Sequence, residues 1–175
     1  MKKLLIVLSS VRESRAADKI LAQVQEQLTH YPDIEATVAD FKKLPLPFFD
    51  APENPSSPDF EITDKNVQQW RSLVIEADVV MFLTAEYNHS YTPVVKNAID
   101  WLYKEWNDKP VAFIGYGWAG GSRAIKHLRD VFGSSVAPRV LETEATLHFT
   151  KDIDLDGTPL GDNAAQSIDA VLKAL

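Results

Sequence analysis

The chain has 175 residues, 45% of them apolar and 25% charged, which suits one soluble globular domain with a single well-buried core. It contains no cysteine, so disulfides, thiolate catalysis and cysteine-ligated metals are excluded and a reducing cytoplasm is the expected home. A formal net charge of −7 argues against nucleic acid as a partner, because phosphate backbones need a basic face, but leaves room for a small anionic ligand held by one loop.

The first residues, Met1 to Ser9, superficially resemble a signal peptide, yet the apolar run stops at Leu8 and soon meets Arg12, Glu13 and Arg15. Leu4 to Leu8 therefore reads as a strand buried on both faces. No apolar stretch approaches the roughly 20 residues a membrane helix needs, so no membrane association is expected. Arg15 to Thr29 carries Ala17, Ile20, Leu21, Val24 and Leu28 at helical spacing. Ile34 to Asp40 alternates apolar and polar residues, as a half-exposed edge strand does.

Phe41 to Asp59 holds half of the ten prolines and reads as an ordered but irregular loop. Asp64 to Glu76 is a predicted helix, Val79 to Leu83 a second fully apolar strand, and Tyr91 to Tyr103 a further helix. Pro110 to Ile114 is a third buried strand, with its proline at the tolerated first position. A helix over about Ser122 to Phe132, an alternating strand over Leu141 to Phe149 and a helix over Asn163 to Leu175 complete the chain.

Strands and helices thus alternate throughout, without repeat or linker, as one α/β domain over residues 1–175. Three continuous apolar strands and two alternating ones fit a three-layer sandwich around a five-stranded parallel sheet, with the alternating strands at its edges in the order 2-1-3-4-5. Ligands bind such sheets beyond the carboxyl ends of the strands, near the switch point between strands 1 and 3.

Three loops meet that condition. Ser9-Ser10-Val11-Arg12-Glu13-Ser14-Arg15 runs into a helix N-terminus, where free N–H groups, two serine hydroxyls and two guanidinium groups suit a phosphate; the plainer alternative is helix capping by serine. It lacks the glycines and lysine of a Walker loop. Thr84 to Pro93 gathers Glu86, Tyr87, Asn88, His89, Ser90 and Tyr91, a set suited to the face and edge of a flat heteroaromatic ligand. Gly115-Tyr116-Gly117-Trp118-Ala119-Gly120-Gly121-Ser122 satisfies G-x-G-x-x-G, but after the fourth strand, with too little chain left for a two-halved dinucleotide domain. These glycines let backbone approach a flat ligand flanked by Trp118 or Tyr116, or serve only a tight turn.

Two other patterns are weaker. Asp152-Ile-Asp154-Leu-Asp156-Gly157 opens like a calcium loop but has Asn163 at its twelfth position, so a surface turn is expected. Ser10, His89 and Asp100 could be imagined as a hydrolase triad, but there is no G-x-S-x-G elbow. No metal site is expected.

Taken together, the loops resemble the NADPH-dependent FMN reductase family, a flavodoxin-like group that includes azoreductase, chromate reductase and quinone reductase types. Its first loop, approximately G-S-x-R-x-G-R, corresponds to Ser9 through Arg15, with serine for glycine at positions 9 and 14. Its P-E-Y-N-x-S signature corresponds to Ala85-Glu86-Tyr87-Asn88-His89-Ser90, with Ala85 for proline, and its K-N-A-I-D-W helix to Lys96 through Trp101. The glycine-rich loop matches at Gly117, Gly120 and Gly121.

The resemblance implies a flavodoxin-like fold that binds FMN and transfers hydride in ping-pong fashion from NADPH or NADH to a quinone, azo, flavin or metal-ion acceptor. It places Ser10, Arg12, Ser14 and Arg15 at the phosphate, Ala85, Glu86, Tyr87, Asn88 and Ser90 beside the isoalloxazine, and Gly117, Trp118, Gly120, Gly121 and Ser122 on its other side. It also implies a homodimer or homotetramer in which the proline-rich loop and the Tyr91–Tyr103 helix meet a partner. No side chain is expected to be an essential acid or base, since the flavin carries the chemistry. The competing reading is a flavodoxin-type carrier that binds FMN but does not oxidise NAD(P)H itself.

Overall fold

The computed structural model describes residues 1–135 and 139–175. Strands β1 (Lys2–Leu8), β2 (Ile34–Asp40), β3 (Val79–Ala85), β4 (Pro110–Gly117) and β5 (Arg139–His148) form one parallel sheet in the order β2-β1-β3-β4-β5. Helices α1 (Ala17–Leu28), α2 (Lys65–Glu76), α3 (Pro93–Asp100), α4 (Ser122–Ser135) and α5 (Asn163–Ala174) cover it, and a 3-10 turn spans Lys104–Trp106. The strand order and the three layers are those read from the sequence.

Side chains alternate across a strand, so an unbroken apolar strand feeds two cores. Leu4, Ile6 and Leu8 cluster with Ile20 and Val24 of α1 and Ile168 and Val171 of α5. Leu5 and Val7 belong instead to the layer of Trp70, Val95, Ile125 and Phe132, from α2, α3 and α4. That second core is aromatic at its centre: Phe82 and Trp106 both pack on Phe132, at 5.6 and 5.3 Å between ring centroids. The edge strands retain exposed residues, among them Glu35 and Thr37 on β2 and Glu142 and Glu144 on β5.

Several boundaries move by a few residues, and two of the shifts have a clear physical reason. β4 continues through Gly115, Tyr116 and Gly117, which the sequence reading places in a loop. Thr84 and Ala85 of β3 pair with Gly115 and Tyr116 on one side, and Thr146, Leu147 and His148 of β5 pair with residues 115–117 on the other. Two flanking ladders hold glycine in a strand that its propensity disfavours. α3 stops at Asp100 rather than Tyr103, because tryptophan indoles take up its last carbonyls: Trp70 Nε1 donates to Ala98 O (2.8 Å) and Trp106 Nε1 to Ile99 O (3.3 Å). The Leu102 N–H turns to Ile99 O instead of continuing the helix.

The proline-rich loop is ordered by this same helix. Asn97 Nδ2 and Trp101 Nε1 both donate to Pro47 O, at 2.8 and 2.9 Å, while Asn97 Oδ1 accepts from Phe49 N at 2.8 Å. Residues i and i+4 share one helix face, which explains their spacing. Among the described residues no helix is long and apolar enough to cross a membrane.

Candidate functional site

β1, β3 and β4 end side by side, and the loops that leave them border one cleft. Its first wall is the loop from Ser9 to Ala16. Ser9 is structural: its Oγ accepts from Ala85 N (2.9 Å) and its carbonyl from Thr92 Oγ1 (2.8 Å), which ties this loop to the next. Arg15 is buried, and its guanidinium forks onto Asp40 through Nη1–Oδ1 (2.6 Å) and Nη2–Oδ2 (2.7 Å). Nη1 also donates to Ser10 O (2.7 Å), and Nε donates to Asp18 Oδ1 (3.0 Å). The Arg15 hydrogen bonds hold the Asp40 carboxyl below its ordinary range, and Asp40 raises the already high pKa of Arg15.

Arg15 therefore has two carboxylates of its own and shapes the loop from inside. Arg12 and Ser14, by contrast, are exposed at the cleft, and Arg12 forms no ion pair among the described residues. The position capping α1 is Ala16, whose side chain makes no cap bond, so the serine-capping alternative is not realised and the first N–H groups of α1 lack a side-chain acceptor among the described residues.

The second wall is a tight turn. Tyr87 N donates to Ser90 O (2.8 Å) and Ser90 N to Tyr87 O (3.0 Å), with Asn88 (φ 46°) and His89 (φ 70°) between them in the left-handed region. Two left-handed residues make this a primed-type hairpin turn, usually the province of Asn-Gly. Its geometry leaves the Asn88 and His89 N–H groups without a hydrogen-bond partner among the described residues. α4 holds both ends of the turn: Arg123 Nε meets Glu86 Oε1 (3.0 Å), and one helical turn later His127 Nδ1 meets Ser90 Oγ (2.9 Å). Across the cleft, Tyr87 and Ser10 share a hydroxyl–hydroxyl bond of 2.9 Å.

The third wall starts at Gly117 and Trp118. The Trp118 ring is 70% exposed and packs edge-to-face on Phe149 (5.8 Å), which packs in the same manner on Tyr116 (6.3 Å). Gly120 and Gly121 are buried behind this wall at φ 65° and 76°, and a Cβ on Gly121 would lie 2.4 Å from Tyr116 N. Both therefore serve the turn into α4, which Ser122 opens, whereas Gly117 borders the cleft. Tyr116 is buried, which raises its phenol pKa, and its hydroxyl makes no hydrogen bond of normal geometry among the described residues.

Sequence reading missed Phe149 and Leu155, which complete the cleft from beyond β5, and Asp40, the counter-charge of Arg15. All but Leu155 follow a strand's carboxyl end or close one, the one signal that could have found them. The remaining candidates stay apart. Asp100 pairs with Lys96 and Ser10 with Tyr87, so Ser10, His89 and Asp100 form no hydrogen-bonded triad. Asp152 accepts from His148, and Asp156 bonds Thr158 and Lys19, giving the surface turn expected there.

The cleft thus has an aromatic wall and a hydroxyl-rich end with an exposed arginine near a helix N-terminus, while Asn88, His89 and Ser90 lie outside its lining, in the turn that follows Tyr87. The buried Tyr116 phenol, unbonded among the described residues, also lines the cleft. These features fit a flat heteroaromatic ring on a tail that ends in phosphate, as in FMN.

A parallel 2-1-3-4-5 sheet with its cleft at the switch point is a flavodoxin-like architecture. The fold aligns with FerB, a flavoenzyme NAD(P)H:(acceptor) oxidoreductase from Paracoccus denitrificans, at a TM-score of 0.72 over 99% of each chain, with 22% sequence identity. The chain belongs to the NADPH-dependent FMN reductase family, which it matches over residues 2–152. It is 32% identical over 155 residues to an NAD(P)H-dependent FMN reductase of Schizosaccharomyces pombe, covering 89% of this chain and 77% of that protein. It is also 32% identical over 136 residues to an NAD(P)H-dependent FMN reductase of Saccharomyces cerevisiae, covering 72% and 71%.

Proposed function

We propose that this chain is an FMN-dependent NAD(P)H oxidoreductase that takes electrons from NADPH or NADH and passes them, in a second half-reaction, to a quinone, azo, flavin or metal-ion acceptor. The observation that carries this reading is the meeting of three dissimilar loops, each suited to a different part of one flavin nucleotide, in a single cleft. FMN bound there supplies hydride acceptance and donation, which no protein side chain can provide.

The chain's own residues bind and orient. Ser10, Arg12 and Ser14 meet the phosphate, aided by the partial positive charge of the α1 N-terminus. Arg15 contributes by fixing the Ser10 carbonyl and thus the loop. Glu86, Tyr87 and Asn88 border the ring, and the free Asn88 and His89 N–H groups stabilise negative charge at its edge, since preorganised donors act at no reorganisation cost. Gly117 gives backbone access on the opposite side, and Trp118 forms the exposed rim where a second planar molecule can stack. Phe48, 81% exposed on the proline-rich loop, supports a homodimer contact at that loop, and the lack of cysteine supports a cytoplasmic site of action.

The test is steady-state oxidation of NADPH by FMN-loaded protein and a quinone, with no second protein present. A reductase consumes NADPH unaided. A carrier of the flavodoxin type shows no consumption until a partner reductase is added, and that result would refute the reading.

A further inference from the structure

Tyr116 closes β4 beneath the cleft with 3% of its surface exposed, and its buried hydroxyl makes no hydrogen bond of normal geometry among the described residues. A buried hydroxyl left without a hydrogen bond destabilises a fold, so its persistence calls for an explanation. The groups that act on it are the hydroxyls of Ser10 and Tyr87 and the charged side chains of Arg15 and Asp18, with Ser10 the one placed as a hydrogen-bond neighbour. The two hydroxyls already bond to each other at 2.9 Å, and Ser10, Tyr87 and Tyr116 border the same cleft.

The hydroxyl inventory restricts what this cluster can do. A serine hydroxyl has one proton and two lone pairs. A phenol is the more acidic partner and so the better donor. When Tyr87 and Tyr116 both donate to Ser10 Oγ, its lone pairs are filled and its single proton can only point elsewhere, into the cleft. An anionic oxygen there would accept it in a charge-assisted bond, roughly twice as strong as a neutral one.

We propose that Tyr116 is a positioning residue for the cofactor phosphate: together with Tyr87 it makes Ser10 an obligate donor toward a phosphate oxygen. The bond from Tyr116 to Ser10 closes as the phosphate takes the serine proton, so the penalty on the unpaired phenol is relieved only in the bound state. This rests on the FMN reading of the cleft and adds to it a means of telling FMN from riboflavin.

The test is Tyr116→Phe, which keeps the ring and removes the hydroxyl. FMN and riboflavin affinities are measured on the flavin-free protein by quenching of flavin fluorescence, alongside its melting temperature. FMN affinity should fall roughly fivefold or more, the size of one hydrogen bond lost from a network, with riboflavin affinity unchanged. The flavin-free melting temperature should hold or rise, because an unsatisfied group has been removed. In a Ser10→Ala background the same change should leave the FMN-to-riboflavin ratio unaltered, since the group that Tyr116 orients is gone.

An unchanged ratio in Tyr116→Phe, with or without a fall in melting temperature, would overturn the proposal while leaving FMN binding intact. Wild-type protein that binds neither flavin would overturn both the proposal and the reading beneath it.

Discussion

Asp40→Asn removes one charge from the buried pair that shapes the first loop and changes almost nothing in volume. Arg15 and Asp40 side chains are 4% and 8% exposed, and their two parallel contacts measure 2.6 and 2.7 Å. Losing one partner of a buried pair costs about 3–5 kcal/mol, mainly because the other charge remains buried. Here Asp18 survives as a second counter-charge, though its side chain is 57% exposed and screened, which puts the expected loss near the lower limit, about 3 kcal/mol. For a chain of this size that corresponds to a melting point lower by about 6–12 °C.

The pH dependence has a definite sign. Asp40 has a folded-state pKa below its unfolded value, so its contribution is complete above about pH 4 and is lost as pH falls through the folded value. Urea denaturation followed by tryptophan fluorescence should therefore show the full wild-type advantage at pH 7 and a narrowing one below pH 4. Asp18→Asn is the control and should stay within about 1 kcal/mol of wild type. A loss in Asp40→Asn under about 1 kcal/mol, or a gap that does not narrow in acid, would refute the account of this loop.

Arg12→Ala should weaken FMN binding by about 10- to 100-fold, the worth of a charge-assisted hydrogen bond, and spare riboflavin; equal losses for both flavins in a fluorescence titration would remove Arg12 from the phosphate. Gly121→Ala puts a Cβ 2.4 Å from Tyr116 N at φ 76° and should cost more than about 2 kcal/mol in urea denaturation. Gly133→Ala in α4, where a Cβ meets nothing within 4 Å, should instead gain up to about 1 kcal/mol. Asn97→Ala frees Phe49 N from the helix and leaves Pro47 O held by Trp101 Nε1 alone, and it should speed proteolysis within residues 45–60, with cleavage at the wild-type rate counting against the tether.

Burial made the sheet legible. Leu4 to Leu8 and Val79 to Leu83 are apolar on every residue because both faces are covered, while the alternation of Ile34 to Asp40 marks an edge. Strand order then located the three loops. What stayed hidden depends on contacts far apart in the sequence. Gly115 to Gly117 look like loop until two neighbouring ladders are known, and α3 ends early because indoles from positions 70 and 106 reach its carbonyls. Arg15 looks like a phosphate ligand by composition, and only Asp40, 25 residues on, reveals that its charge is already matched. Leu155 was missed for the same reason, since nothing local marks a side chain that completes a cleft built by other strands, whereas Phe149 follows the end of β5.

Every role assigned above depends on FMN in this cleft accepting hydride from a nicotinamide cofactor. The most direct measurement is a visible spectrum of protein saturated with FMN and desalted, taken before and after anaerobic addition of NADPH. Retained flavin absorbance that bleaches promptly is the predicted result. Flavin that washes out on desalting, or stays yellow with both NADPH and NADH, would contradict the account.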